Sequence, residues 1–205
     1  MDERDGRIGG GASRIGEVVE ASTTEFIAQC YELHEAPAFG SFVRAGGGEV
    51  GVLGVVANAW TGSIDPGRRP VPRGRDEAEE EDVYRHNPEL PEILRTEFTA
   101  TVVGFRDPDG SYHHRLPRRP CRLHSFVHAL APDEVRDFTE QLDFLPTLLG
   151  GTGKSPADEL VAACVREAAG VREDNRSFVV RAGKELAILL AGDPNRLSAI
   201  LRKVR

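Results

Sequence analysis

Apolar residues fall first into short runs and later onto helical spacing. Between residues 15 and 58 the chain reads IGEVVEA, TEFIAQCYE, GSFVRA and EVGVLGVVAN. Each run is rich in Val, Ile and Phe and ends at Gly, Ser, Thr or Pro, which predicts short β-strands. Turns are expected at 22–24, 35–37 and 45–48. Gly51 and Gly54 interrupt the long apolar run 50–60. Glycine inside a strand marks a bulge or bend, which a small barrel needs in order to close. Strand character returns at 96–106 and stops at Asp107-Pro108-Asp109-Gly110, a strong turn signal. A last strand is expected at 122–130. Runs this short bury an apolar face only by curling into a barrel or packing on another sheet.

The period then changes. Val135, Phe138 and Leu142 recur at helical spacing behind Pro132 and Asp133, predicting one helix to about Leu149 that Gly150-Gly151 breaks. Three more helices are expected at 157–169, from Asn175 or Arg176 to Ala191, and at 195–204. The last carries Leu197, Ile200, Leu201 and Val204 at i, i+3, i+4 and i+7, an amphipathic stripe. The expected class is α+β. A small closed β-barrel of about six strands occupies 14–130, and a C-terminal helical region occupies 131–205. Residues 1–13 are expected to be a disordered lead-in. Residues 61–91 are rich in Pro, Arg and acids, basic first and then acidic. They read as a long solvated loop inserted into the barrel.

Composition narrows the function. At 205 residues the chain fits one domain, or one domain with a small appendage. The net charge is −7 and the aromatic content 6%, with Trp60 the single tryptophan. A globally basic nucleic-acid footprint is therefore absent. No apolar run approaches the ~20 residues of a membrane span. The N-terminus is charged and Gly-rich, unlike a signal peptide. Three widely spaced cysteines make no disulfide framework, so a reducing, cytoplasmic setting is expected.

Four groups of residues offer chemistry. Gly153, Lys154 and Ser155 match the last three positions of a phosphate-binding loop. Leu148 stands where its first glycine belongs, however, and Pro156 follows at once, so a Gly-rich hinge between helices is the favoured reading. Cys121, His124 and His128 form C-x₂-H-x₃-H, ligand types that suit zinc. A strand there would hold the two histidines about 13 Å apart. The alternative has His124 capping the barrel, with His113 and His114 in an exposed hairpin. Arg118 and Arg119, flanked by Arg115 and Arg122, are a candidate phosphate contact. The acidic total and the acidic run at 76–82 favour a solvated face or an intrachain ion pair instead. The stripe of Leu197, Ile200, Leu201 and Val204 is either a docking face or packing against the preceding helix. No nucleophile–base set is readable, and no cofactor is implied.

The strand region resembles the HAS barrel, the small β-barrel shared by HerA-type ATPases and the catalytic subunits of F-type ATP synthases. The residues that carry the resemblance are Ile15-Gly16-Glu17-Val18-Val19-Glu20, Phe39-Gly40-Ser41-Phe42-Val43 and Val52-Leu53-Gly54-Val55-Val56. It covers roughly 14–130, and a strand at 98–105 supplies a later barrel strand. In HerA-type proteins the barrel precedes a RecA-like motor and helps arrange a hexameric ring. No motor is expected after this barrel, so the family's ATP-binding residues are not carried over. The resemblance implies a non-enzymatic assembly or adaptor module. Its partner would be a HerA-type ring ATPase or a nuclease of a DNA-processing complex, or further copies in a homo-oligomer. The alternatives are a nucleic-acid-binding barrel and a degenerate P-loop or metal-dependent enzyme.

Overall fold

The computed structural model describes residues 14–47, 50–151 and 156–204. The chain is α+β, an antiparallel sheet followed by a helical region. The strands are β1 (Arg14–Ala21), β2 (Glu25–Cys30), β3 (Phe42–Ala45), β4 (Gly51–Ser63), β5 (Leu94–Arg106), β6 (Tyr112–His113) and β7 (Phe126–Ala129). Because β2 pairs with both β1 and β5, the pairings run β1–β2–β5–β4–β3–β7 and return to β1. Six strands thus form a ring-like sheet, and the two-residue β6 lies beside the end of β5.

Side-chain alternation makes two cores from one sheet. Val18, Phe26, Ala28, Val43, Val56, Phe98 and Val127 pack inside the ring. On the same strands, Phe42, Leu53, Val55 and Val103 face outward into a second cluster shared with the helices. Strand residues one apart point to opposite faces, so β3, β4 and β5 serve both layers. Gly54 is required on the inner side. A Cβ there would lie 2.9 Å from Ala100 Cβ and 3.1 Å from Phe26 Cε1. The pairing of β4 with β5 also shifts register between Leu53 and Gly54 and between Val56 and Asn58, which bends the long strand around the ring.

Several expectations change. The segment at 61–91 is not loop throughout: β4 runs on to Ser63, and two short helices follow, α1 (Glu80–His86) and α2 (Leu90–Ile93). Glu80, Glu81 and Asp82, the last three acids of the run at 76–82, sit in the first turn of α1, where they complement the helix N-terminus. The helix expected at 132–149 is two helices, α3 (Pro132–Phe138) and α4 (Leu145–Leu149). Pro146, in the first turn of α4, has no N–H to give a carbonyl one turn back, so a continuous helix cannot pass through it. The later helices, α5 (Ala157–Gly170), α6 (Asn175–Leu189) and α7 (Pro194–Val204), lie where the periodicity placed them. The Asp174 side chain caps α6 through the Ser177 N–H at 3.0 Å. The last ring strand is shorter than expected. Residues 123–124 form a turn with His124 in the left-handed region (φ 63°), and β7 starts only at Phe126.

Candidate functional site

The register assembles a row that no local motif reveals. Phe126 pairs with Glu17, Glu17 with Gln29, Gln29 with Glu97, and Glu97 with Trp60. Directly paired residues share a face. Their chain neighbours Val127, Val18, Ala28 and Phe98 fill the ring, so the row lies on the outer wall. It crosses five strands, about 19 Å at ~4.8 Å per strand. The helices cover the ring at Phe42, Leu53 and Val55, whereas Phe126 and Trp60, at the two ends of the row, remain 45% and 37% exposed.

The Phe126 end is the most organised part. Glu17 accepts the Tyr31 hydroxyl at 2.9 Å, and its other oxygen lies 3.1 Å from His124 Nδ1. The Arg14 guanidinium sits 4.5 Å from the Phe126 ring centre and 5.4 Å from that of Tyr31. A zipped turn holds His124 in place: its N–H donates to Val18 O, and Val18 N–H donates to Ser125 O. The His124 hydrogen bond, and after it that of Tyr31, holds the Glu17 carboxyl below the usual range. Burial, followed by the bond to Glu17, pushes the Tyr31 phenol up. Further along the row, buried Glu97 is paired with Arg95 Nε at 2.9 Å. Both carboxylates of this row, Glu17 and Glu97, therefore have side-chain partners.

Two clefts flank the wall. One, of about 390 Å³, is lined by Tyr31, Leu33, His34, Tyr84 and Arg95 among others. His34 is also left-handed (φ 70°). Its N–H donates to Thr96 Oγ1 at 2.7 Å, and its Nε2 lies 2.6 Å from the Tyr84 hydroxyl. That contact fastens α1 to the mouth of the ring. The second cleft, of about 400 Å³, is lined by Ile64, Val71, Ile93, Arg68 and Arg69 among others.

The structure disperses most of the residues singled out in the sequence. His124 does not cap the ring; it stands outside it, exposed, on Glu17. His128 lies in β7, and half-buried Cys121 packs against the inner cluster, where desolvation pushes its thiol up to about 11. Among the described residues no three His, Cys, Asp or Glu side chains gather in a way that could hold a metal ion. His113 and His114 are half-buried rather than exposed. His113 stacks on Phe105 and lies 2.8 Å from Asp107, while His114 lies 2.8 Å from Phe138 O and edges its ring. Arg118 and Arg119 are exposed in the loop before β7. Gly153, Lys154 and Ser155 lie outside the described residues. The stripe on α7 faces inward: Ile200 and Val204 are buried, Leu197 packs on the same cluster, and Leu201 lies against Gly183 of α6. Arg196 bonds Asp158 at 2.8 Å, and Lys203 pairs with Glu159, pinning α7 onto α5. That face is core, so it is withdrawn as a docking surface.

Arg14, Tyr31 and Phe126 went unnoticed in the sequence. The alternation of β1, which turns Glu17 away from Val18, is the one local signal that could have drawn attention to this wall. No protein-family model matches the chain, and no curated protein matches it.

Proposed function

We propose that this chain is a non-enzymatic β-barrel module of the HAS type that assembles with a HerA-type ring ATPase or a related DNA-processing complex. The observation that carries the reading is the wall at β7, β1 and β2, which stays open while the helices occupy other strands of the ring. Its exposed residues, Arg14, Tyr31 and Phe126, are of the kinds that dominate protein–protein binding energy. The neighbouring Glu17 is already paired, so a partner would not have to desolvate a lone carboxylate there. Ring closure supports the barrel part of the reading, because the six strands then present their side chains as inner and outer sets.

The test is titration calorimetry of the purified chain against a HerA-type ATPase from the same genome. Binding by the wild type, weakened at least tenfold by Phe126→Ala and by Arg14→Ala, supports the proposal; truncating a central aromatic or Arg anchor typically costs about 2 kcal/mol or more. No heat and no co-elution with that ATPase would refute it. Equal affinity of wild type and both variants would move the interface off this wall.

A further inference from the structure

The far end of β4 leaves one strand edge uncovered, and two hydrogen bonds define what it presents. Ile64 N–H donates to Ile93 O, one step beyond the Ser63–Leu94 pair. Bonded pairs then alternate at Gly62–Arg95, Trp60–Glu97 and Asn58–Thr99. On the other side of β5, Val102 N–H donates to Thr24 O. Residues 98, 100 and 102 therefore turn towards β2, and 97 and 99 turn towards β4, which is the same phase. The N–H and C=O groups of Ala59, Thr61 and Ser63 point away from β5 and meet no strand among the described residues. Residues 58–61 are exposed. This edge carries neither a charge nor a proline between Asn58 and Ser63, the usual devices that stop an edge from pairing.

We propose that this edge pairs with the same edge of a second copy of the chain, antiparallel, about a twofold axis at Thr61. The edge is complementary to itself in that register. Thr61 meets Thr61 of the second copy, and Ala59 meets Ser63 of the second copy, so every residue with outward backbone groups faces another of the same kind. Trp60 falls opposite Gly62 of the second copy, in the non-bonded position where facing side chains approach most closely. A Cβ placed on Gly62 has nothing within 4 Å, so the space above it is open. Each indole covers the glycine of the other copy. No like charges face each other across the seam, and a twofold contact of this kind closes at two copies. The seam lies at the Trp60 end of the wall, away from Arg14, Tyr31 and Phe126, so separate variants test the two proposals.

Sedimentation velocity of the full chain over a concentration series tests it. The emission of Trp60, the sole tryptophan, provides a second readout. The expected result is a monomer–dimer equilibrium with a micromolar dissociation constant, with emission moving to the blue as the dimer forms. Gly62→Lys fills the open slot without touching its own chain. It is expected to stay monomeric with red-shifted emission and an unchanged circular dichroism spectrum and Tm. Trp60→Ala, at an exposed position, should weaken the dimer at least tenfold. A wild type that stays monomeric through the micromolar range overturns the proposal, and so does a dimer that survives both substitutions. An edge taken instead by an extended peptide of another protein would give the first of these results.

Discussion

Ile200→Ala measures what the α7 stripe is for. Ile200 is fully buried in the cluster that α5, α6 and α7 share with the outer face of the ring. The substitution removes three carbons, about 2.4 kcal/mol of transfer free energy at ~0.8 per methylene. The neighbours are held by the Arg196–Asp158 and Lys203–Glu159 pairs and collapse only partly, so a cavity term adds to the loss. The total is expected to be about 3–4 kcal/mol, inside the range of about 2–5 seen for buried aliphatic truncations. For a chain of this size that lowers Tm by about 6–16 °C. Urea denaturation followed by far-UV circular dichroism gives the free energy, and calorimetry gives Tm. Ile188→Ala is the control. Ile188 sits on α6 and is 70% exposed, so its truncation should stay within about 0.5 kcal/mol. A loss below about 1 kcal/mol for Ile200→Ala, or one equal to that of Ile188→Ala, would refute the reasoning and return the stripe to the surface.

Three further outcomes are expected. Gly54→Ala drives a methyl group into Ala100 and Phe26 inside the ring and should cost about 1–3 kcal/mol by overpacking. Adding Ala100→Gly should recover part of that in urea melts, and no recovery would mean that this contact is not the cause. Burial pushes the Cys30 and Cys121 thiols to about 11, and Cys164 higher still. At pH 8 each is then about 0.1% thiolate or less. All three should react slowly with a disulfide reagent when folded and at once in guanidinium, and rapid titration of any one in the native chain contradicts this. The Glu17 carboxyl is lowered by His124 and then by Tyr31. Its folded value therefore lies below its unfolded one, so the stabilisation from this cluster is present above the unfolded value and lost as pH falls through the folded one. A carbon-detected NMR titration should show the depressed value in the wild type and a rise in Tyr31→Phe; an ordinary value in the wild type disproves the pairing in solution.

Much of the architecture is legible in the chain because it is local. Val, Ile and Phe in runs cut by Gly and Thr give β1 to β5, and the 3.6-residue period gives α5, α6 and α7 almost to the residue. Pro146 stands at the start of α4, and that signal also lies in the sequence, although the single helix is read from the spacing of Val135, Phe138 and Leu142 alone. What the α7 stripe packs against is a different matter. An amphipathic face records that something covers it, not what, and only the fold puts Ile200 in the cluster with α5 and α6. Ring closure likewise depends on β2 meeting β5, some seventy positions away (Phe26 with Ala100). Glu17 and His124 are 107 residues apart. Strand pairing and register are settled by the burial of whole faces against one another, a sum over distant residues that no window of sequence contains. The row from Phe126 to Trp60 and the open edge at Ala59, Thr61 and Ser63 exist only once that pairing is made.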